Sequence, residues 1–263
     1  MKKKKSSGIL IIIGKILWFI IKIPYYLVLG IYKIVKYFST KKEMAINEKI
    51  KPIFQDFEVV KTEKGDYNKW IDEVYNADSK IGIILGSRGS GKTAFGVRFL
   101  ENAYSKSKKK CYAIGFRKEE MPSFIKIVSD TNEIENNSLV LIDEGGVLFS
   151  SRNSMTSANK LLSSLMLISR HKNISILFIS QNSSNLEINI LRQADYLIFK
   201  NSSLLQKEFE RKIIQKIYEK INPDFEKFEN KKKMSYVYSD EFRGFISNSL
   251  PSFWGTNISK SFR

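Results

Sequence analysis

The chain has 263 residues, enough for one full hydrophobic core with extensions. One cysteine, Cys111, rules out an intramolecular disulfide, and Cys111 with a lone His171 leaves no donor set for a zinc site. Of the formal net charge of +17, +9 lies in the first fifty residues, where eleven lysines face Glu43 and Glu48; this points to an anionic surface, membrane or nucleic acid, at the N-terminus.

Residues 8–38 read GILIIIGKILWFIIKIPYYLVLGIYKIVKYF, flanked by Lys2 to Lys5 and by Lys41 and Lys42. At about 100° per helical residue, Lys15, Lys22, Lys33 and Lys36 fall within about 60° of one another, a narrow stripe on an apolar cylinder. Three arrangements fit: a tilted transmembrane helix with snorkelling lysines, a helix lying in the membrane interface, and a short hairpin broken at Pro24. The longest uncharged run, Ile23 to Tyr32, is far shorter than a usual span. Both flanks are basic, so charge asymmetry assigns no orientation. Residues 1–42 are expected to form a membrane-associated segment. Residues 43–79 are polar and mixed and read as a connector packed on the edge of a core. Within it, Asp66 to Asn76 is helix-like, with Trp70, Ile71 and Val74 facing inward.

Lys80 to Leu85 is a short apolar strand, and Ala94 to Tyr104 is helix-like. Between them stands GSRGSGKT: Gly86, Ser87, Arg88, Gly89, Ser90, Gly91, Lys92 and Thr93. In this strand–loop–helix setting the glycine-rich turn cradles phosphates with backbone N–H groups. Lys92 reaches the β/γ-phosphates and the Thr93 hydroxyl reaches Mg²⁺. ATP and Mg²⁺ are the expected ligands. An exported chain would lack its nucleotide, which argues against a cleaved signal peptide.

Cys111 to Phe116 is a further strand. Ser138 to Ile142 is another, ending in Asp143-Glu144, the expected Walker B pair. Asp143 would hold Mg²⁺ through water, and Glu144 would orient or deprotonate the attacking water. Gly145 to Lys160 is rich in small polar residues and reads as a mobile loop, with Arg152 and Lys160 placed to touch a nucleic-acid backbone. Ile174 to Ser180 is a buried strand ending at Gln181, expected between Lys92 and Asp143, where it would sense the γ-phosphate or position the water. Arg170 precedes this strand and Arg192 the next, Tyr196 to Phe199; either would serve as an arginine finger in trans, Arg170 first. Basic clusters at Lys106 with Lys108 to Lys110, and at Lys231 to Lys233, read as solvated loops. Leu205, Phe209, Ile213, Ile214, Ile217, Tyr218 and Ile221 form one apolar face of a long helix, which caps the sheet or meets a neighbouring subunit. Met234 to Ser239 and Gly244 to Ser247 form a hairpin around Asp240-Glu241.

The order GSRGSGKT, LVLIDEG, ISRHKNISILFISQ, LRQADYLIF resembles the FtsK/HerA branch of P-loop ATPases over about Lys80 to Lys200. The same segment is similar to the ATPase domain of zonular-occludens-toxin-like proteins and to viral genome-packaging ATPases of that broad group. The resemblance implies a RecA-like fold with a mainly parallel five-stranded sheet, ordered 5-1-4-3-2 by position along the chain. It carries over Lys92, Thr93, Asp143, Glu144 and Gln181, and Arg170 more weakly, and implies a homo-oligomeric ring acting on DNA. The segments are then 1–42 for membrane association, 43–79 for the connector, 80–200 for the ATPase core, and 201–263 for a helix and small hairpin. The expected activity is ATP hydrolysis that translocates or packages DNA at a membrane, with the ATPase in the cytoplasm or inside a membrane-containing virion. Two alternatives stand beside it: a morphogenesis ATPase driving filament or virion extrusion without gripping DNA, and a nucleotide-dependent membrane scaffold with little turnover.

Overall fold

The computed structural model describes residues 5–47, 49–150 and 154–255, so Lys2, Lys3, Lys4 and Arg152 lie outside the described residues. The chain divides into two units between Ile46 and Asn47. The first is dominated by α1 (Lys5–Asn47), one continuous helix of 43 residues that passes through Pro24. The hairpin alternative, broken at Pro24, does not form. A proline inside a helix costs about 3 kcal/mol, but Ile21 to Tyr26 offers no Ser, Thr, Asp, Asn or Gly to cap a second helix. Leu27, Val28, Ile31, Ile34, Val35 and Phe38 are 59–66% exposed. The Lys22 ammonium lies 3.4 Å from the centre of the Trp18 ring. Among the described residues no helix is long and apolar enough to cross a membrane, which corrects the transmembrane alternative. The lysines interrupt the apolar run well before the roughly 20 residues a crossing needs.

The second unit is built on a mixed sheet, nine-stranded among the described residues, where five mainly parallel strands were expected. Its strands are β1 (Glu58–Gly65), β2 (Ile81–Leu85), β3 (Lys110–Ile114), β4 (Ile125–Ile127), β5 (Ser138–Asp143), β6 (Ile174–Ser180), β7 (Tyr196–Phe199), β8 (Met234–Ser239) and β9 (Phe242–Ser247). They run β1-β9-β8-β7-β2-β6-β5-β3-β4 across the sheet. The strands β7-β2-β6-β5-β3 form a parallel centre. A parallel β4 flanks it on one side, and antiparallel β8, β9 and β1 extend it on the other. Strands β2, β5 and β6 are buried along their whole length, as continuous apolar runs are when both faces of a parallel sheet are covered.

One face is covered by α2 (Tyr67–Asn76) and α3 (Lys92–Ser107): Trp70 lies against Tyr196 and Phe242, and Phe95 and Phe99 share a buried cluster with Leu141 and Ile179. The other carries α5 (Ser154–Lys172) and α8 (Lys212–Lys227): Leu162 and Leu165 share a buried cluster with Val140 and Phe178, while Tyr218 meets Phe199 and Phe225 meets Phe245. Asp66 caps α2 by accepting from the Asn68 and Lys69 N–H groups, and Trp70, Ile71 and Val74 are buried. The stretch between α1 and β2 thus contributes an edge strand and a core helix to the unit.

Helix α3 also grips both flanks of the unit. Arg98 and Glu101 form a buried ion pair at 3.0 Å. Arg98 Nη1 donates to Ile53 O at 3.1 Å, and a second Arg98 donor reaches Leu250 O. Glu101 accepts from the Ile53 and Ser252 N–H groups, each at 3.0 Å. Asn102 pairs with the Gln55 backbone at 3.0 and 2.7 Å.

Two local expectations are corrected. Residues after Asp143 form α4 (Glu144–Ser150) and not an open loop. Gly146 packs against Gly115 at the end of β3, where a Cβ would strike the Gly115 carbonyl, so this glycine serves close approach. After the short α6 (Ile188–Arg192), the single long helix expected after β7 is two, α7 (Leu204–Phe209) and α8. The break falls where tertiary bonds take over: the Ser183 N–H donates to Glu210 Oε2 at 2.8 Å, and Arg211 Nε donates to Ser183 O at 3.0 Å. The apolar face splits accordingly. Ile214, Tyr218 and Ile221 are buried, whereas Leu205, Phe209 and Ile213 are exposed.

Candidate active site

Strand β2 delivers the chain into GSRGSGKT, and α3 begins at Lys92. Gly91 caps α3 with φ of 91°, a left-handed conformation that suits glycine. The Ser87 N–H and hydroxyl both donate to Asn201 O, at 3.1 and 3.0 Å, tying the loop to the chain leaving β7. Ser90 Oγ is buried without a hydrogen-bond partner, a free polar atom inside the cradle. The Arg88 and Gly89 positions are exposed. Lys92 is buried, and its ammonium donates to Gly86 O at 2.7 Å and Ser87 O at 2.9 Å. Burial pushes Lys92 down to about 8, against the pull of Asp143 and Glu144. These are weak partners for a cation, and phosphate oxygens are better ones.

Asp143 stands across from Thr93, whose hydroxyl donates to Asp143 Oδ2 at 3.0 Å. Asp143 Oδ1 accepts from the Gly145 N–H at 3.0 Å, so the residue also caps α4. Burial pushes Asp143 up to about 6, while Thr93 and Lys92 act the other way. Two hard oxygens side by side at the start of α3 fit a small divalent cation that takes its remaining ligands from phosphate and water. Among the described residues no cluster of three His, Cys, Asp or Glu forms a separate metal site.

Glu144 is buried, and the end of β6 holds it. Oε2 accepts from Ser180 Oγ at 2.6 Å and from the Gln181 N–H at 3.3 Å, and Oε1 accepts from Asn185 Nδ2 at 3.2 Å. A carboxylate has about four lone-pair sites. Three are engaged, leaving one for a water. Gln181 follows β6, which pairs with both β2 and β5, so its backbone bridges the loop side and the acidic side. Its side chain is exposed, and its carbonyl accepts from Gln206 Nε2 at 2.6 Å. Ser180 and Asn185 escaped sequence reading; the only available signal was a run of Ser and Asn just beyond a buried strand.

The structure brings Gly86 to Thr93, Asp143, Glu144 and Gln181 together at the C-terminal ends of the parallel strands. It does not bring Arg170 or Arg192 there: each precedes the start of its strand, at the opposite end of the sheet. Arg170 is exposed. Several lysines of the basic clusters are engaged, Lys106 with Asp72, Lys110 with Glu135 and Lys231 with Glu226. Lys160 is exposed on α5.

No family model and no curated protein matches the chain. Among solved structures it is similar to the DNA-packaging ATPase B204 from Sulfolobus Turreted Icosahedral Virus, at 14% identity over 66% of this chain and 99% of that chain, with a TM-score of 0.44. It is similar to the genome packaging NTPase B204 from Sulfolobus turreted icosahedral virus 2 in complex with AMPPCP, at 14% identity over 66% and 100%, with a TM-score of 0.46. It is also similar to the pCW3 conjugation coupling protein TcpA with ATPγS, at 12% identity over 76% and 70%, with a TM-score of 0.43.

Proposed function

We propose that the chain is a Mg²⁺-dependent ATPase whose turnover moves DNA, as a homo-oligomer attached to a membrane. The observation that carries the ATPase reading is the seating of Glu144 by Ser180, Gln181 and Asn185 beside the Thr93–Asp143 pair. That arrangement suits a base that activates water and exceeds what nucleotide binding alone needs. The loop N–H groups and Lys92 hold the phosphates once Lys92 leaves the Gly86 and Ser87 carbonyls. Thr93 and Asp143 would hold Mg²⁺, which would offset charge on the phosphate oxygens. Glu144 keeps one oxygen site free for the attacking water. The DNA reading rests on the motif order and on the excess positive charge that remains outside the first fifty residues, +8 of the total +17. Its test is the steady-state ATPase rate of the full chain with and without duplex DNA at low salt. Stimulation of several-fold is expected; an unchanged rate without binding removes DNA as the load and favours the morphogenesis or scaffold alternatives.

The membrane reading rests on α1. At 1.5 Å per residue its 43 residues extend about 64 Å, roughly twice the hydrocarbon thickness of a bilayer. Its exposed apolar side chains and its lysine stripe suit a helix lying in the plane of an anionic interface. In flotation assays the full chain is expected to rise with vesicles containing phosphatidylserine and to be released by salt. At about 1 kcal/mol per lysine near such a surface, replacing Lys22, Lys33 and Lys36 with Ala should weaken binding on the order of a hundredfold. Equal flotation of the triple variant would count against the lysine stripe as the contact.

A further inference from the structure

Lys200 directly follows β7, and its backbone N–H donates to Leu85 O at 2.8 Å, seating it beside the strand that enters the phosphate loop. Its side chain is fully buried. The ammonium donates to Lys232 O at 2.8 Å, Ser235 Oγ at 3.0 Å and Asn248 Oδ1 at 3.3 Å. All three protons therefore have acceptors, and none of these is a carboxylate. Among the described residues the charged group acting on it is Lys92, a second cation. The Phe95 ring of α3 lies 5.7 Å away.

The stem of Lys200 runs beneath the loop. A Cβ added to Gly86 would stand 2.7 Å from Lys200 Cβ. One added to Gly91 would stand 3.5 Å from Lys200 Cε and 2.7 Å from Lys232 O. If this position only packed β7 against the β8–β9 hairpin, an apolar side chain would serve at lower cost than a buried ammonium without a counter-ion. A cation held there becomes favourable when anionic phosphates occupy the loop in front of it.

We propose that Lys200 is a positioning residue for the nucleotide phosphates, a fixed cation beneath the loop that braces Gly86 and Gly91 and supplies positive charge without touching the ligand. This rests on reading GSRGSGKT as the phosphate site. Burial lowers Lys200 to about 7, so in the free protein its charge is lost as pH rises through 7. Bound phosphates favour the charged form, so nucleotide binding takes up a proton there and affinity falls as pH rises.

The test is calorimetry of the full chain with MgADP from pH 6 to 9, in buffers of different ionisation enthalpy, for wild type and Lys200→Met. Wild type should take up protons near pH 7.5. Lys200→Met should bind about tenfold more weakly at pH 6 and take up fewer protons on binding than wild type. In turnover, the variant should raise KM for ATP with kcat within about twofold. Equal affinity and equal uptake in the two proteins would overturn the role of Lys200 and leave the site reading intact. No MgADP binding by wild type at any pH would instead sink the site reading. Should Lys200→Met fail to fold, NMR of wild type carrying ¹³C at the lysine ε-carbon decides: one lysine should titrate near pH 7 and move upward with MgADP. Absence of such a lysine overturns the proposal.

Discussion

Glu144→Gln should still bind ATP while its turnover falls at least about a hundredfold, the range expected for removal of a general base. The geometry separates the two effects. Glu144 touches Ser180, Gln181 and Asn185, whereas the proposed phosphate cradle is Gly86 to Thr93. A glutamine can keep accepting from Ser180 and Gln181 through its oxygen, and a flipped Asn185 amide can accept from its new NH₂ group. The fold should therefore survive. Nucleotide binding measured by fluorescence, beside steady-state phosphate release, decides the matter; full turnover by the variant would remove Glu144 from the base role. Mixing extends the experiment to the proposed homo-oligomer. Chains with Glu144→Gln retain Arg170, and chains with Arg170→Ala retain Glu144. If Arg170 acts in trans, mixing the two inactive proteins should restore part of the activity, and a mixture that stays inactive would argue against it.

Lys92→Met should weaken ATP binding a hundredfold or more, because the phosphates lose a charge-assisted donor that no neighbour replaces. Yet the nucleotide-free chain should be little harmed. With Lys92 held near 8 against an ordinary 10.5, its buried ammonium opposes folding by on the order of 3 kcal/mol at neutral pH. The sign follows from the direction of the shift: the unfolded chain holds this proton more tightly. The penalty is therefore fully present below pH 8 and is relieved as pH rises toward 10.5. Against that relief, Gly86 O and Ser87 O lose their donor, a cost of similar order. The melting temperature without nucleotide should stay within a few degrees of wild type, while the rise that ATP gives wild type should vanish. A large drop in the nucleotide-free melting temperature would mean that Lys92 is mainly a structural cross-brace of the loop.

What the sequence disclosed were features whose cause is local. The buried runs of β2, β5 and β6, the GSRGSGKT loop and the acidic end of β5 each carry their signal within ten residues. Strand β1 gave none, because EVVKTEKG is an exposed edge strand whose partner β9 lies far along the chain. The break between α7 and α8 was hidden because it arises from bonds to Ser183, not from a helix breaker. Gly145-Gly146 read as flexibility, whereas packing against Gly115 is what Gly146 permits. Lys200 resembled any lysine after a strand; only the return of β8 and β9 encloses it. Sequence motifs thus marked the candidate groups, but not the residues that hold them in place.

The grip of Arg98, Glu101 and Asn102 on residues 53–55 and 250–252 bears on where this chain can be cut. A fragment drawn around the recognisable motifs, from Lys80 to Lys200, would discard both segments and strand a buried arginine and glutamate in the middle of α3. Removing partners from a buried ion pair costs several kcal/mol, a large share of the stability of one domain. The smallest autonomous fragment therefore runs from about Asn47 to beyond Ser252, and the flanks that look dispensable hold the shaft of the helix that starts at Lys92.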